Sequence, residues 1–330
     1  TLYKLSQTGL NFTNRYSPFF NGGQTINSEF ACNTGMYAIS DKETIYDKDD
    51  VTYPYSVANM LKKNGYRVAS FHANTKTFYN RGKFHKRLGY DMHYSAYDLQ
   101  TSGLLDKNKN YFSDYNFISD DNLYDLMISD KPFFTFFTTY SGHLEYNTNN
   151  KVYKSIKKTL SKKKYGEEEY VYRTLVHDTD DAIKTLIEKL EKSKLLDKTV
   201  LVLVSDHYVY GYSDTDYVAM KKNKLNDRKE LQNTPFIIWS KDIEAKTIDT
   251  ILDTADILPT LLNMLDITYD PKNYLGDDVF STSHDDFVWF SDGTFIKSSD
   301  CDLSDESILT KVNYNINKNR DILLTNYYGK

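Results

Sequence analysis

The run Thr199-Val-Leu-Val-Leu-Val-Ser205 carries no alternation of apolar and polar residues, the pattern of a parallel strand buried between helix layers on both faces. It ends in Asp206-His207-Tyr208, so two metal-ligand side chains stand at its carboxyl end. That end is where open α/β sheets bind their ligands. An isolated Asp-His pair also serves as a cap on the next element, so a metal centre requires other segments to converge on the same edge.

Strand-like and helical runs alternate along the chain, which predicts an α/β layer fold. A helix over 55–64 stops at Gly65, and the strand Tyr66 to Phe71 that follows ends at His72. Lys131 to Thr138 reads as a second strand leading into Ser141-Gly142-His143. The stretch from about Glu168 to Lys194 places Val171, Leu175, Val176, Ile183, Leu186, Ile187 and Leu190 on one helix face, and it feeds the Asp206 strand. A short strand is predicted over 234–239 and a helix over 256–265, with Pro259 tolerated in its first turn. Phe287 to Ile296, broken by Asp292-Gly293, reads as a hairpin, and alternation in the tail after it suggests a small terminal β unit. The expected organisation is therefore one large α/β domain over 1–285 and a small β subdomain over 286–330.

Three of these strands end in His72, His143 and Asp206-His207, which puts four ligand or acid/base residues at one sheet edge. Asn21-Gly22-Gly23-Gln24 adds a flexible turn that opens a helix with Thr25 near its amino end, where unpaired N–H groups favour an anion. A threonine hydroxyl becomes a nucleophile once a metal or base lowers its pKa, and Asp206 and His207 can hold such a metal. Thr25 as a plain N-cap is the alternative.

Composition narrows the partners. A net charge of -5 argues against a general nucleic-acid binder. Cys32 and Cys301 are too few for a disulfide framework, although one bridge is open to them. No apolar run approaches a membrane span. Thr1 falls inside an apparent helix, so the sequence reads as a fragment of a longer chain.

Phe12-Thr13-Asn14, Thr25, Ser28-Glu29-Phe30, Ser70-Phe71-His72, Phe78-Tyr79-Asn80-Arg81, Gly142-His143 and Ser205-Asp206-His207-Tyr208 together resemble the extracellular domain of lipoteichoic acid synthases, in the alkaline phosphatase and sulfatase superfamily. The resemblance covers most of the chain. It implies an α/β/α sandwich around a mainly parallel sheet with a small β-rich C-terminal part. It also implies a phosphoglycerol transferase on the extracellular face of a bacterial membrane, anchored by upstream transmembrane helices and using one divalent ion, manganese or magnesium. Phosphatidylglycerol would be the donor, and a glycerol-phosphate polymer or glycolipid the acceptor.

Carried over residue by residue, Thr25 would be nucleophile and metal ligand, with Asp206 and His207 as further ligands. A fourth, a glutamate ending the family's first strand, would lie upstream, so the fragment is expected to lack that strand. His72, Arg81 and His143 would grip the phosphoglycerol, with His143 also the proton donor, and Phe78 and Tyr79 would wall the pocket. Asn74 and Tyr79 depart from the acid and tryptophan of better-known members, which puts the acceptor in doubt.

Cys32-Asn-Thr-Gly-Met36 lacks the pattern matured to formylglycine, which argues against sulfate ester hydrolysis. A two-zinc phosphodiesterase would need a second ligand group, and His85, His93, His177 and His284 fall at no predicted strand end. Phosphoethanolamine transfer uses the same threonine chemistry and stays open, as does an inactive binding module. The basic run from Lys151 to Lys164 reads either as a solvated face or as a contact for anionic lipid or polymer.

Overall fold

The computed structural model describes residues 1–18, 25–38, 48–156, 165–211 and 228–329. The Gly-rich turn over 21–24 and most of the basic run, 157–164, lie outside the described residues.

Helix α1 (Leu2–Thr8) leads into β1 (Leu10–Phe12), and α2 (Thr25–Thr34) follows. Next come α3 (Val57–Lys63), β2 (Arg67–His72), α4 (Arg81–Arg87), β3 (Met92–Ser95) and α5 (Ala96–Thr101). Helices α6 (Asp114–Ser119) and α7 (Asp121–Met127) precede β4 (Phe133–Thr138). Helices α8 (Lys151–Ser155) and α9 (Glu167–Lys192) precede β5 (Leu201–Val204). The chain continues through β6 (Phe236–Trp239), β7 (Lys246–Ile248), α10 (Ile257–Met264), β8 (Phe287–Trp289), β9 (Phe295–Lys297) and α11 (Asp305–Thr325). No helix among the described residues is long and apolar enough to cross a membrane.

The α/β architecture follows the expected alternation. Strand β2 pairs in parallel with β3 on one side and β4 on the other, with His72 opposite Thr138. The remaining inner strands run in the order β5-β6-β1-β7. Strand β1 is parallel to β7, while β6 is antiparallel to both β1 and β5. Parallel pairings therefore prevail, as expected, but two local expectations fail.

The first concerns β5. It is not a parallel strand buried on both faces: it pairs antiparallel with β6, and Val202 is exposed. The reason is its position, since β5 and β4 each have one partner strand among the described residues and end their sheets there. The aromatic-rich β4 is accordingly half-buried along its whole length.

The second concerns the tail. The β8–β9 hairpin forms, with Gly293 in the left-handed region at φ 81°, but the following residues form α11 instead of further strand. The alternation in Val312-Asn-Tyr-Asn-Ile-Asn317 mimics a strand locally. Burial of Ile308, Val312, Ile322 and Leu323 follows the helical period, and the Ser304 hydroxyl accepts from Ser307 N at the amino end.

These four residues join the largest apolar cluster, which draws on Phe30 of α2, Leu61 of α3, Val68 of β2, Phe84 of α4 and Leu258 of α10. A second cluster lies under β1, β6 and β7, where Phe12 and Phe236 stack with centroids 4.2 Å apart. Both cysteines are free thiols. Phe236 is fully buried, so Phe236→Ala should destabilise the fold by about 3–5 kcal/mol, read as a lower urea midpoint at unchanged slope.

Candidate active site

Helix α2 organises the site. Its inward face is fixed by burial of Ile26, Phe30 and Ala31, and residues one turn apart share a face of a helix. Thr25, Ser28 and Glu29 are so related. The Thr25 side chain hydrogen-bonds Asp206, and the Ser28 hydroxyl donates to the Asp206 main-chain carbonyl. Glu29 reaches the other way, to Arg81 and His85 of α4.

Asp206 and His207 leave the end of β5 as expected. His207 N donates to Asp206 Oδ1 at 3.0 Å, and His207 Nε2 faces Asp206 Oδ2 at 3.0 Å. The other ring nitrogen, Nδ1, donates to Tyr208 O at 2.9 Å. Burial pushes Asp206 upward, but the hydrogen bond and charge of His207, with the Thr25 hydrogen bond, outweigh it and hold the carboxyl below its ordinary value. Burial lowers His207, and Asp206 more than offsets it, so the ring is held above its ordinary value. Arg15 fixes the strand end from below: fully buried, it donates from Nη1 to Ser205 O and Thr234 Oγ1 and from Nη2 to Thr254 Oγ1, each at 2.6 Å.

A hydroxyl, a carboxylate and an imidazole thus converge. With Nδ1 bonded to a main-chain carbonyl, Nε2 is the nitrogen left for a ligand, and losing its proton would free it for a cation. This donor set fits a divalent ion as an open, incomplete site. Among the described residues no group of three or more His, Cys, Asp or Glu side chains could close it.

The phosphate-binding candidates lie beyond the ends of β2 and β4. His72 is buried and donates from Nδ1 to Thr138 O at 2.9 Å. Burial pushes it down to about 4, aided by the Arg81 charge, so it is neutral at working pH with Nε2 as an acceptor. Asn74 is turned to local use, its Oδ1 accepting from Thr75 N. Tyr79 and Asn80 take left-handed backbone, φ 55° and 48°, at the bend into α4. Such positions cost energy and are held by their surroundings. Here the bend sets the Phe78 and Tyr79 rings against each other at 4.4 Å and Tyr79 over the Arg81 guanidinium at 5.6 Å. Phe78 itself is largely exposed.

Arg81 is buried to 1% exposure. Its Nε and Nη2 donate to Glu29 at 3.0–3.2 Å, and His85 Nε2 meets Glu29 Oε1. Burial pushes Glu29 upward, but Arg81 and His85 outweigh it and hold the carboxylate far below its ordinary value. Arg81 Nη1 is buried with no hydrogen-bond partner.

His143 is exposed on the loop after β4, its ring stacked on Tyr140 at 5.3 Å. Nδ1 donates to Leu144 O at 2.8 Å, which leaves Nε2 to carry or accept a proton. Tyr140 in turn lies 6.2 Å from the His72 ring, and Tyr210 lies 4.6 Å from the His207 ring. His72, Tyr140 and His143 therefore form one row.

The sequence reading missed Glu29 as a site residue, together with His85, Arg15 and the anchors of the His143 loop. The signal for Glu29 was the four-residue step from Thr25 and, for His85, the same step from Arg81. His93 lies in β3 and is hydrogen-bonded to Ser70 Oγ at 2.8 Å, so it forms no second ligand group. His177 is exposed and paired with Asp181.

The family model for sulfatases matches residues 1–267. The chain belongs to the sulfatase family. It is 29% identical over 309 residues to lipoteichoic acid synthase of Staphylococcus aureus, covering 89% of this chain and 46% of that protein. It thus spans about half the length of the curated relatives it matches. Its fold is similar to that of the lipoteichoic acid synthase LtaP from Listeria monocytogenes, with TM-score 0.74 and 20% identity over 99% of this chain and 85% of that one. It is also similar to that of the Streptococcus pyogenes phosphoglycerol transferase GacH, solved with sn-glycerol-1-phosphate, with TM-score 0.62 and 16% identity over 97% of this chain and 78% of that one. The fold is alkaline-phosphatase-like. On α2, burial pushes the Cys32 thiol up to about 12, which disfavours the thiolate.

The His143 loop is held by buried carboxylates. Asp114 accepts from Tyr140 N at 2.7 Å, Ser141 N at 3.1 Å and Thr179 Oγ1 at 2.7 Å, and Asp178 accepts from Ser141 Oγ at 2.6 Å. Burial, helped by the Asp178 charge, outweighs those hydrogen bonds and raises Asp114 to about 6. A raised carboxyl gives stability that is complete below its unfolded pKa and is lost as pH rises through the folded value. Asp114→Asn should therefore remove a loss on the order of 3 kcal/mol between about pH 4 and 7. Urea midpoints across that range check it, and identical pH dependence in both proteins would contradict it.

Proposed function

We propose that this chain is the catalytic part of a metal-dependent phosphoglycerol transferase that moves glycerol phosphate from phosphatidylglycerol to a lipoteichoic-acid-type acceptor. The observation that carries the reading is Thr25 at the amino end of α2, bonded to Asp206, one helical turn from a carboxylate that holds a buried arginine with a free N–H. Likeness to lipoteichoic acid synthase and to a transferase solved with glycerol phosphate supports the substrate class.

Thr25, Asp206 and His207 would hold one divalent ion, manganese first and magnesium second, whose charge lowers the pKa of the Thr25 hydroxyl. The residues of the chain do the rest. Arg81 Nη1 and the amino end of α2 hold the non-bridging phosphate oxygens. Thr25 Oγ, its proton already released to solvent, attacks phosphorus as the alkoxide, and the ester bond to the diacylglycerol oxygen breaks as His143 Nε2 protonates that oxygen. The glycerophosphoryl group then rests on Thr25 until a terminal hydroxyl of the acceptor, deprotonated by the same imidazole, attacks phosphorus and releases the Thr25 alkoxide, which leaves His143 protonated for the next cycle. His72 accepts a hydrogen bond from the bound glycerol phosphate, and Tyr79 with Phe78 forms the wall beside it. We place the domain on the extracellular face of a bacterial membrane, anchored through segments of the longer protein.

Full-length protein incubated with phosphatidylglycerol should carry a glycerophosphoryl adduct on Thr25, detectable by peptide mass spectrometry. Thr25→Ala should lower diacylglycerol release by at least about 10³-fold. Undiminished turnover in that variant would overturn the mechanism.

A further inference from the structure

Glu29 is buried to 4% exposure, and the cost of removing a carboxylate and a guanidinium from water can exceed what their attraction returns, so a buried ion pair is weak evidence of a stabilising role. A role for the pair besides stability is therefore sought in its geometry. Three nitrogens converge on the carboxylate: Nε and Nη2 of Arg81, and Nε2 of His85. Arg81 and His85 are one turn apart on α4, so a single helix face closes on Glu29. Because an ionised carboxylate only accepts, the His85 nitrogen facing it carries a proton.

The arrangement is saturated on the Glu29 side and incomplete on the Arg81 side. Nη1 is buried and has no hydrogen-bond partner, a state it shares with a few other buried nitrogens such as His85 Nδ1, whereas most buried donors in proteins are paired. A guanidinium fork clamped on one edge presents its remaining N–H groups in a fixed direction, the geometry suited to a phosphate oxygen. Thr25 and Glu29 share one face of α2, so the attacking oxygen and the clamp on the arginine belong to one rigid body.

We propose that Glu29 is a positioning residue: it locks Arg81 through Nε and Nη2 so that Nη1 meets a non-bridging oxygen of the phosphate at Thr25, and its charge matches the pocket to a singly charged phosphodiester. This rests on the reading of the site as a phosphoglycerol-transfer centre. Glu29 cancels the charge of Arg81, and neutral His72 adds none, so the clamp supplies direction without net attraction for a dianion. A phosphate monoester, with its second charge, gains less from such a pocket than a diester does.

Two measurements on the full-length protein test this. In the wild type, the Arg81 Nε–H should give a solvent-protected signal in proton–nitrogen NMR, and exchange as fast as that of free arginine would overturn the proposal. Glu29→Gln keeps the shape and removes the charge. It should raise KM for phosphatidylglycerol about tenfold or more while phosphatidic acid, the monoester of the same lipid, becomes a roughly tenfold stronger inhibitor. Equal changes for diester and monoester would mean a purely structural pair and would overturn it. If Glu29→Gln does not fold, the wild-type exchange decides. If the wild type turns over no phosphatidylglycerol, the transferase reading fails, and the Nε–H signal still judges the clamp.

Discussion

Everything at the sheet edge depends on how α2 is docked. The Ser28 hydroxyl ties the helix to the Asp206 carbonyl at the end of β5, and Glu29 ties it to α4 beside β2. Phe30 anchors it in the largest core cluster. The helix thereby spans two groups of strands that share no pairing among the described residues, and it carries the candidate nucleophile to their junction. Undocking α2 would separate Thr25 from Asp206 and Arg81 together, so packing and chemistry are coupled through one element.

The surroundings are arranged to keep charges where the chemistry needs them. Arg15 holds the carbonyl before Asp206, and two buried aspartates nearby, Asp253 and Asp256, are each raised to about 7 by burial, Asp253 further by the Asp256 charge. Asp256 also accepts from Asp253 N and Asp277 N, fixing the turn into α10. Asp114 and Asp178 perform the matching task for the His143 loop. Buried carboxylates in this molecule therefore act mainly as acceptors for main-chain and hydroxyl donors that shape loops. Glu29 differs in accepting from a guanidinium and an imidazole on one neighbouring helix.

Much of this was legible in the sequence, because strand ends are marked by local signals. The runs ending at His72, before His143 and at Asp206 gave both the layer fold and the edge at which side chains gather. What local signals do not carry is pairing. The apolar run of β5 could not reveal that its partner β6 runs antiparallel, because a short apolar strand looks alike in either setting. The alternation of 312–317 could not reveal that α11 buries every third or fourth residue. Glu29 and Arg81 meet across 52 residues of sequence, and no spacing within one element predicts such a contact. Arg15 and the Asp114 network escaped notice for the same reason.

In the proposed function Thr25, Asp206 and His207 together bind one cation at the amino end of α2. Diffraction from crystals of the full-length protein grown with manganese, recorded at the manganese absorption edge, tests it most directly. A single strong anomalous peak is expected about 2.0–2.3 Å from Thr25 Oγ, an Asp206 carboxylate oxygen and His207 Nε2. A peak bound elsewhere, or no peak with Asp206 and His207 still paired to each other, would contradict it.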